Sequence, residues 1–317
     1  MTLPRKNICI IGGGGFMGSA FRSYLSLNAY NIFTIGRSLN ISLFPNEEYF
    51  SVAEYSFKHL EELLAGKRFV AIVDFAYTSV PNTSFDDPIK DFSDNLYNVI
   101  RHLDFARVIK AARFVYISSG GTVYGESNSK PFSEDAPNFP LSPYGVTKLA
   151  CERYVYMYNR LHNLPTLIVR PSNIYGPGQK PFRGQGLVAT ALGLAVKGEP
   201  IHVFGNGSHV RDYLYVDDFS KALINVIDQG EPGKIYNIGS GLGVSILDIV
   251  NQINRVLKED NTELSVLSLP ERPFDVHFNV LDIKEISQLN GWQPEVTLHT
   301  GIENTWKWIK EYLKQHR

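Results

Sequence analysis

Apolar positions along the chain change period many times. Asn7 to Ile11 is a short buried-strand run, followed by glycines and then a helical pattern from about Met17 to Leu27. Further strand-like runs are "NIFTI" at 31–35, Phe50 to Ala53, "FVAIVDFA" at 69–76, "RFVYISS" at 113–119 and "TLIVR" at 166–170. Between them, "HLEELLAG", "DFSDNLYNVIRHLDFARVIKAA" and residues 142–163 repeat at helical spacing. Strands that alternate with helices predict an α/β fold, a parallel sheet covered on both faces. Ligands of such sheets bind beyond the carboxyl ends of the strands. Those ends are Gly12 to Gly18, Gly36 and Arg37, Phe75 and Ala76, and Ser118 to Thr122, so these patches are expected to line one cleft.

After Arg170 the texture changes. Pro and Gly become frequent in "RPSNIYGPGQKPFRGQG", and the elements become shorter and mixed. This predicts a smaller α+β lobe that closes over the cleft. The expected division is residues 1–172 plus about 212–240 for the sheet domain, and 173–211 with 241–317 for the lobe. The formal net charge of −1 gives no basic field for nucleic acid and no patch for a membrane. Cys9 and Cys151 sit in apolar runs and read as core thiols. No apolar stretch is long enough to span a bilayer, and the first strand follows the N-terminus at once. A cytoplasmic setting is the resulting expectation. No metal site is read from the sequence.

Gly12, Gly15 and Gly18 form G-x-x-G-x-x-G, with Phe16 and Met17 inside it, between the first strand and the first helix. A side chain there would hold a pyrophosphate away from the backbone N–H groups, and the helix N-terminus favours its charge. In an alternating chain this placement predicts a Rossmann-type, doubly wound dinucleotide domain. The acidic residue that usually follows about 20 positions later, on the adenosine ribose, is missing. The second strand ends in Gly36 and Arg37 instead. Arg37 suits a 2′-phosphate and so favours NADP(H). A solvated surface arginine with NAD(H) held by other groups is the competing reading.

"SPYGVTK" places Tyr144 and Lys148 four residues apart, on one face of a helix. Free tyrosine titrates near pH ~10, too high for proton transfer at neutral pH. A neighbouring ammonium and a nicotinamide cation would stabilise the phenolate. Tyr144 would then take a proton from a sugar hydroxyl or return one to a ketone, while Lys148 holds the nicotinamide ribose.

Together, "GGGGFMG", "SSGGTVYGE", "SPYGVTKLACE", "RPSNIYGPGQ", "FGNGSHVRDYLYVDDF", "YNIGSGLGVSI" and "ERPFDV" occur in fixed order over essentially the whole chain. The chain resembles an extended short-chain dehydrogenase/reductase of the NAD-dependent epimerase/dehydratase family, nearest to the UDP-glucose 4-epimerase-like group. The resemblance implies that Tyr144 and Lys148 are the catalytic pair. It implies that Phe75, Ala76, Tyr77 and Ser118 line the cofactor, and that Asn95 supports the site from the following helix. Asn173 would contact the sugar nucleotide, Arg211 and Arg272 would grip its diphosphate, and Asp275 would contact the nucleotide ribose. Paired arginines suit a diphosphate, because each guanidinium offers a planar fork. Asp212 reads as half of a structural ion pair with Arg211.

One position departs from the pattern. The family places a Ser or Thr three residues before the Val of "VYG", and that position is Gly120 here. Thr122 or Ser119 is the expected substitute, with a bridging water or lost activity as alternatives. Three functions stay open: 4-epimerisation of a UDP- or dTDP-hexose, NADPH-dependent 4-reduction of a 4-keto-6-deoxy sugar, and a non-catalytic dinucleotide sensor. The family commonly forms homodimers through its two long helices. Leu96, Val99, Ile100, Leu103, Leu149, Val155 and Tyr158 are compatible with that interface, and equally with a core.

Overall fold

The computed structural model describes residues 5–39, 41–127, 130–183, 185–271 and 276–316. Six strands occur up to Pro171: β1 (Lys6–Ile11), β2 (Tyr30–Gly36), β3 (Glu47–Ser51), β4 (Phe69–Asp74), β5 (Phe114–Ile117) and β6 (Thr166–Pro171). After them come β7 (Asn173–Tyr175), β8 (Ile201–Phe204), β9 (Val210–Tyr215), β10 (Ile235–Ile238), β11 (Gly243–Ser245), β12 (Val266–Leu269) and β13 (Phe278–Asn279). The large sheet runs β10-β6-β5-β4-β1-β2-β3, and every pairing in it is parallel. The order reverses at β1 and β4, so the crevice for a ligand opens beyond their carboxyl ends.

Alternate side chains of the central strands feed two cores. Ile8, Ile10 and Val73 pack with Phe21 and Phe219, from helices Phe16–Ser26 and Val216–Gln229. On the other face, Cys9 and Ile72 pack with Leu103 and Val155, from helices Pro88–Val108 and Pro143–His162. Both cysteines are fully buried free thiols. Val99, Leu103, Val155 and Tyr158 belong to this second core, so they are spent inside the protein and carry no argument for a dimer face.

A separate sheet joins β11, β9 and β13, with β7 also paired to β9. A third core, including Ile249, Ile253, Ile302 and Trp306, lies beside it. Because β9 pairs within this small sheet, the chain returns to the large sheet at helix Val216–Gln229 rather than at 212.

Two local differences from the sequence pattern have physical causes. β3 lies at Glu47–Ser51 rather than at 50–53. Its leading glutamate looks like a loop residue, yet its carboxylate is fully buried and bonded to Arg22 Nε (2.5 Å) and Nη2 (2.7 Å) and to Thr34. β10 completes the large sheet from far along the chain, where its short apolar run carries no distinctive signal.

Candidate active site

The glycine loop forms the first wall of the site. Gly12 has φ +82°, and a Cβ there would lie 2.6 Å from the Ala76 backbone nitrogen. At Gly18 a Cβ would lie 2.8 Å from the Gly12 carbonyl oxygen. Only hydrogen fits at either place, so β1, the loop after β4 and helix Phe16–Ser26 converge closely. Gly15 sits at the N-cap of that helix, whose first N–H groups have no intrahelical partner. A cavity of about 370 Å³ opens here, lined among others by Gly12, Gly15, Arg37, Phe75, Ala76 and Tyr77. This cradle fits a dinucleotide, since its glycines admit phosphate oxygens and its helix terminus favours their charge.

Arg37 is exposed and lines this cavity with Ser38. Its lining residues include no Asp or Glu, and no ion pair engages Arg37 among the described residues. Tyr49 fixes the strand end by donating to the Ser38 carbonyl (2.6 Å).

Tyr144 opens the second wall. Ser142 caps helix Pro143–His162 by accepting from Gly145 N (3.1 Å), with Pro143 in the first turn. A Cβ at Gly145 would lie 2.6 Å from the Thr122 carbonyl oxygen, so the helix start seats directly on the loop after β5. Tyr144 N also donates to Ser84 Oγ (3.1 Å). Phe16, Met17, Ser118, Ser119, Thr122 and Tyr144 share a cavity of about 230 Å³. The sequence-predicted reacting group and both candidate replacements for the missing hydroxyl are thus brought together.

Lys148 behaves differently from expectation. Its Nζ does not pair with the Tyr144 phenol. It donates to the Ile117 carbonyl (2.8 Å) and stands 3.9 Å above the Tyr77 ring, against 5.6 Å from the Tyr144 ring centroid. Tyr77 and Tyr144 meet edge to face at 4.8 Å, which makes Tyr77 the platform between the two. Burial pushes the Lys148 pKa down to about 8, nearby Cys151 and carboxylates opposing it. Burial, with the charge of Asp91, raises the Tyr144 phenol above its ordinary range. Hence the protein's own groups hold Tyr144 neutral, and a phenolate there requires a further positive charge.

Gly120 has a structural explanation. A Cβ at this position would lie 2.7 Å from Leu281 Cδ1 and 3.1 Å from the Arg170 carbonyl. Gly120 N donates to Pro171 O (2.8 Å), and Gly120 O accepts from Asn279 Nδ2 (3.1 Å). The loop is pressed onto the small lobe, and a side chain has no room. Ser118 is no substitute, because its hydroxyl donates to Glu152 Oε1 (2.5 Å), which is also bonded to Arg170. Thr122 Oγ1, by contrast, is buried without a hydrogen-bond partner. Ser172 Oγ and Gln179 Oε1 are in the same condition and line the same cavity. Sequence reasoning missed those two; both lie in "RPSNIYGPGQ", where spacing marks neither as different from its neighbours.

Asn95 supports the site without lining either of these cavities. Buried at its helix, it accepts from Thr78 N (2.9 Å) and donates to the Asp91 carbonyl (2.8 Å). It fixes the loop after β4. Asn173 donates to the Asp212 carbonyl (3.0 Å) and lines both the Tyr144 cavity and a larger one of about 760 Å³. Arg211 lines that larger cavity. Asp212 is fully buried and accepts from Ser240 N (2.7 Å), Gly241 N (3.1 Å) and Leu281 N (3.3 Å), so its carboxylate is held by backbone N–H groups rather than by the expected ion pair. Arg272 and Asp275 lie outside the described residues.

Comparison with known proteins extends this picture. The model of the NAD dependent epimerase/dehydratase family matches residues 8–239. A putative UDP-glucose 4-epimerase of Methanocaldococcus jannaschii is 33% identical over 309 residues, covering 96% of this chain and 98% of the relative. The structure of a UDP-glucose 4-epimerase from Thermotoga maritima with UDP-glucose superposes with a TM-score of 0.87 at 28% identity, covering 97% of this chain and 99% of that one. A UDP-glucose 4-epimerase of Thermus thermophilus in complex with NAD gives a TM-score of 0.86 at 27% identity, over 96% and 99%. Given the extent of the family match and this level of identity over nearly the full chain, the protein belongs to the NAD-dependent epimerase/dehydratase family.

Proposed function

We propose that this protein interconverts C4 epimers of a UDP- or dTDP-hexose, using a nicotinamide dinucleotide that is regenerated in each cycle. The observation that carries the reading is the junction at Tyr144. The phenol borders a small cavity beside the dinucleotide cradle, and that cavity shares Pro81, Asn173, Gln185, Gly186, Leu187 and Tyr213 with the larger one holding Arg211. A sugar ring in the small cavity places its diphosphate and nucleoside in the large one. Arg211, with Arg272 and Asp275, would hold that portion.

A bound dinucleotide would supply hydride transfer from C4 and back to it. The chain supplies the rest. Tyr144 takes the C4 hydroxyl proton as the carbon is oxidised and gives it back on reduction. Thr122, whose hydroxyl is unpartnered, hydrogen-bonds the reacting oxygen in place of the absent side chain at Gly120, with Ser119 as the alternate donor. Ser172 and Gln179 offer their unpartnered oxygens to sugar hydroxyls. Lys148 would hold the nicotinamide ribose, and the positive charge that Tyr144 needs would come with the oxidised cofactor. Dehydration would require a further acid–base group; the described residues lining the Tyr144 cavity include no Asp, Glu or His, which favours epimerisation.

A second reading, NADPH-dependent 4-reduction, is favoured by one observation. The carboxylate-free cofactor cavity carries Arg37, and a 2′-phosphate suits both features. We also propose a homodimer through helices Pro88–Val108 and Pro143–His162. Their exposed Ile89, Phe92, Tyr97, Val146 and Tyr156 supply the apolar area that the buried residues cannot. Among the described residues no helix is long and apolar enough to cross a membrane.

The deciding experiment incubates purified protein with UDP-, dTDP-, GDP- and CDP-sugars and either cofactor, and identifies products by mass spectrometry and NMR. Epimer formation without net cofactor turnover supports the first reading. Stoichiometric NADPH oxidation with a 4-keto substrate supports the second, and cofactor binding without turnover of any sugar refutes both.

A further inference from the structure

We propose that His209, Glu271 and His277 form a binding site for a divalent transition metal of the zinc type. None of the three side chains lines the Tyr144 cavity, and His209 lines the larger one. One ligand atom from each lies within 4.8 Å of the others. His209 Nε2 is 3.3 Å from Glu271 Oε1, and His277 Nδ1 is 3.9 Å from the same oxygen. Ligand bonds of about 2.0–2.1 Å in a tetrahedron put neighbouring ligand atoms roughly 3.3 Å apart, so His209 and Glu271 already stand at ligand spacing, and the exposed His277 ring would turn out of its stack on His209 to complete the shell.

Backbone pairing fixes the arrangement. β13 runs parallel to β9 with Phe278 opposite Val210, and Val210 N donates to the His277 carbonyl (2.8 Å). That register sets His277 beside His209, and their rings stack at 4.9 Å with an interplanar angle of 19°. Glu271 follows β12, which is held parallel to β8. The third ligand therefore comes from a different strand pair.

A second observation points to a ligand. His209 is 2% exposed, and its buried Nε2 stands 3.3 Å from Glu271 Oε1 without an aligned hydrogen bond to it. A buried ring nitrogen left without an aligned hydrogen bond is costly, and a bound cation shared with the carboxylate would remove that cost. Two imidazoles and one carboxylate select zinc, cobalt, nickel or copper over magnesium or calcium, and three protein ligands leave a position for water or an anionic oxygen. Glu271 and His277 also stand on either side of Arg272 and Asp275 in the sequence. Metal binding would tie the base of that segment to β9, two residues from Arg211.

The test uses the full-length protein, stripped with chelator and titrated with Zn²⁺ against a chromophoric competitor. The wild type is expected to bind one Zn²⁺ per chain, to melt at a higher temperature with it, and to give visible tetrahedral bands with Co²⁺. His277→Ala and Glu271→Gln change exposed side chains and preserve folding. Each should weaken Zn²⁺ by at least on the order of 10-fold and abolish the Co²⁺ bands. Zinc affinity unchanged in both variants, or fewer than one ion per wild-type chain at saturation, would overturn the proposal.

Discussion

Replacing Lys148 by Met tests the electrostatics of the site in the stability of the protein itself. Burial moves the Lys148 pKa from its ordinary 10.5 to about 8. At about 1.4 kcal/mol per unit, holding the ammonium inside costs on the order of 3 kcal/mol at pH 7. The folded pKa lies below the unfolded one, so between pH 8 and 10.5 the unfolded chain binds more protons. Stability therefore rises with pH in that window as the cost is relieved. Met carries no such charge, so Lys148→Met removes this cost at pH 7. The gain is cut by the loss of the bond to the Ile117 carbonyl, roughly 1–3 kcal/mol for a buried acceptor left alone. That loss does not depend on pH, and the other lysines titrate alike in both proteins. Relative to the variant, the wild type should thus gain about 3 kcal/mol from pH 7 to pH 10.5, enough to make it the more stable of the two at the upper end. Urea unfolding at four pH values measures it. A difference that stays constant, or moves in the variant's favour as pH rises, would refute the buried-ammonium argument. Turnover of the variant should fall on the order of 10²-fold or more, whichever way its stability moves.

Three further substitutions probe the remaining walls. Tyr144→Phe should reduce turnover by on the order of 10²-fold with little change in cofactor affinity; near-normal turnover removes Tyr144 from proton transfer. Gly120→Ser does not rescue or improve the site, because the new Cβ meets Leu281 and the Arg170 carbonyl, at a cost of about 1–3 kcal/mol. In a urea-melt double-mutant cycle Leu281→Ala should relieve part of that cost, and strict additivity would show that the clash is not real. Arg37→Ala should weaken NADPH more than NADH in a binding titration; equal losses would mean that Arg37 is only a solvated side chain.

The alternating pattern made the α/β architecture legible, because two-faced burial writes continuous apolar runs such as "FVAIVDFA" into the sequence. The register of β3 was not legible, since Glu47 is buried through an ion pair with Arg22 from another element. At the site, the spacing of Tyr144 and Lys148 correctly put both on one helix. It could not show that Tyr77 stands between them and takes the ammonium over its ring. Likewise, Gly120 read as a missing hydroxyl, whereas its cause is the packing of Leu281, 161 positions away by residue number. The unpartnered oxygens of Ser172 and Gln179 were invisible for the same reason: satisfaction of a polar atom is a three-dimensional property.

The most direct measurement follows a deuterium label placed at C4 of UDP-glucose. Hydride removal and return within one pocket, with Tyr144 handling only the proton, predicts UDP-galactose that keeps its deuterium at C4 in ordinary water. Loss of the label to solvent, or no epimer formed from any hexose tested with either cofactor, would contradict the account.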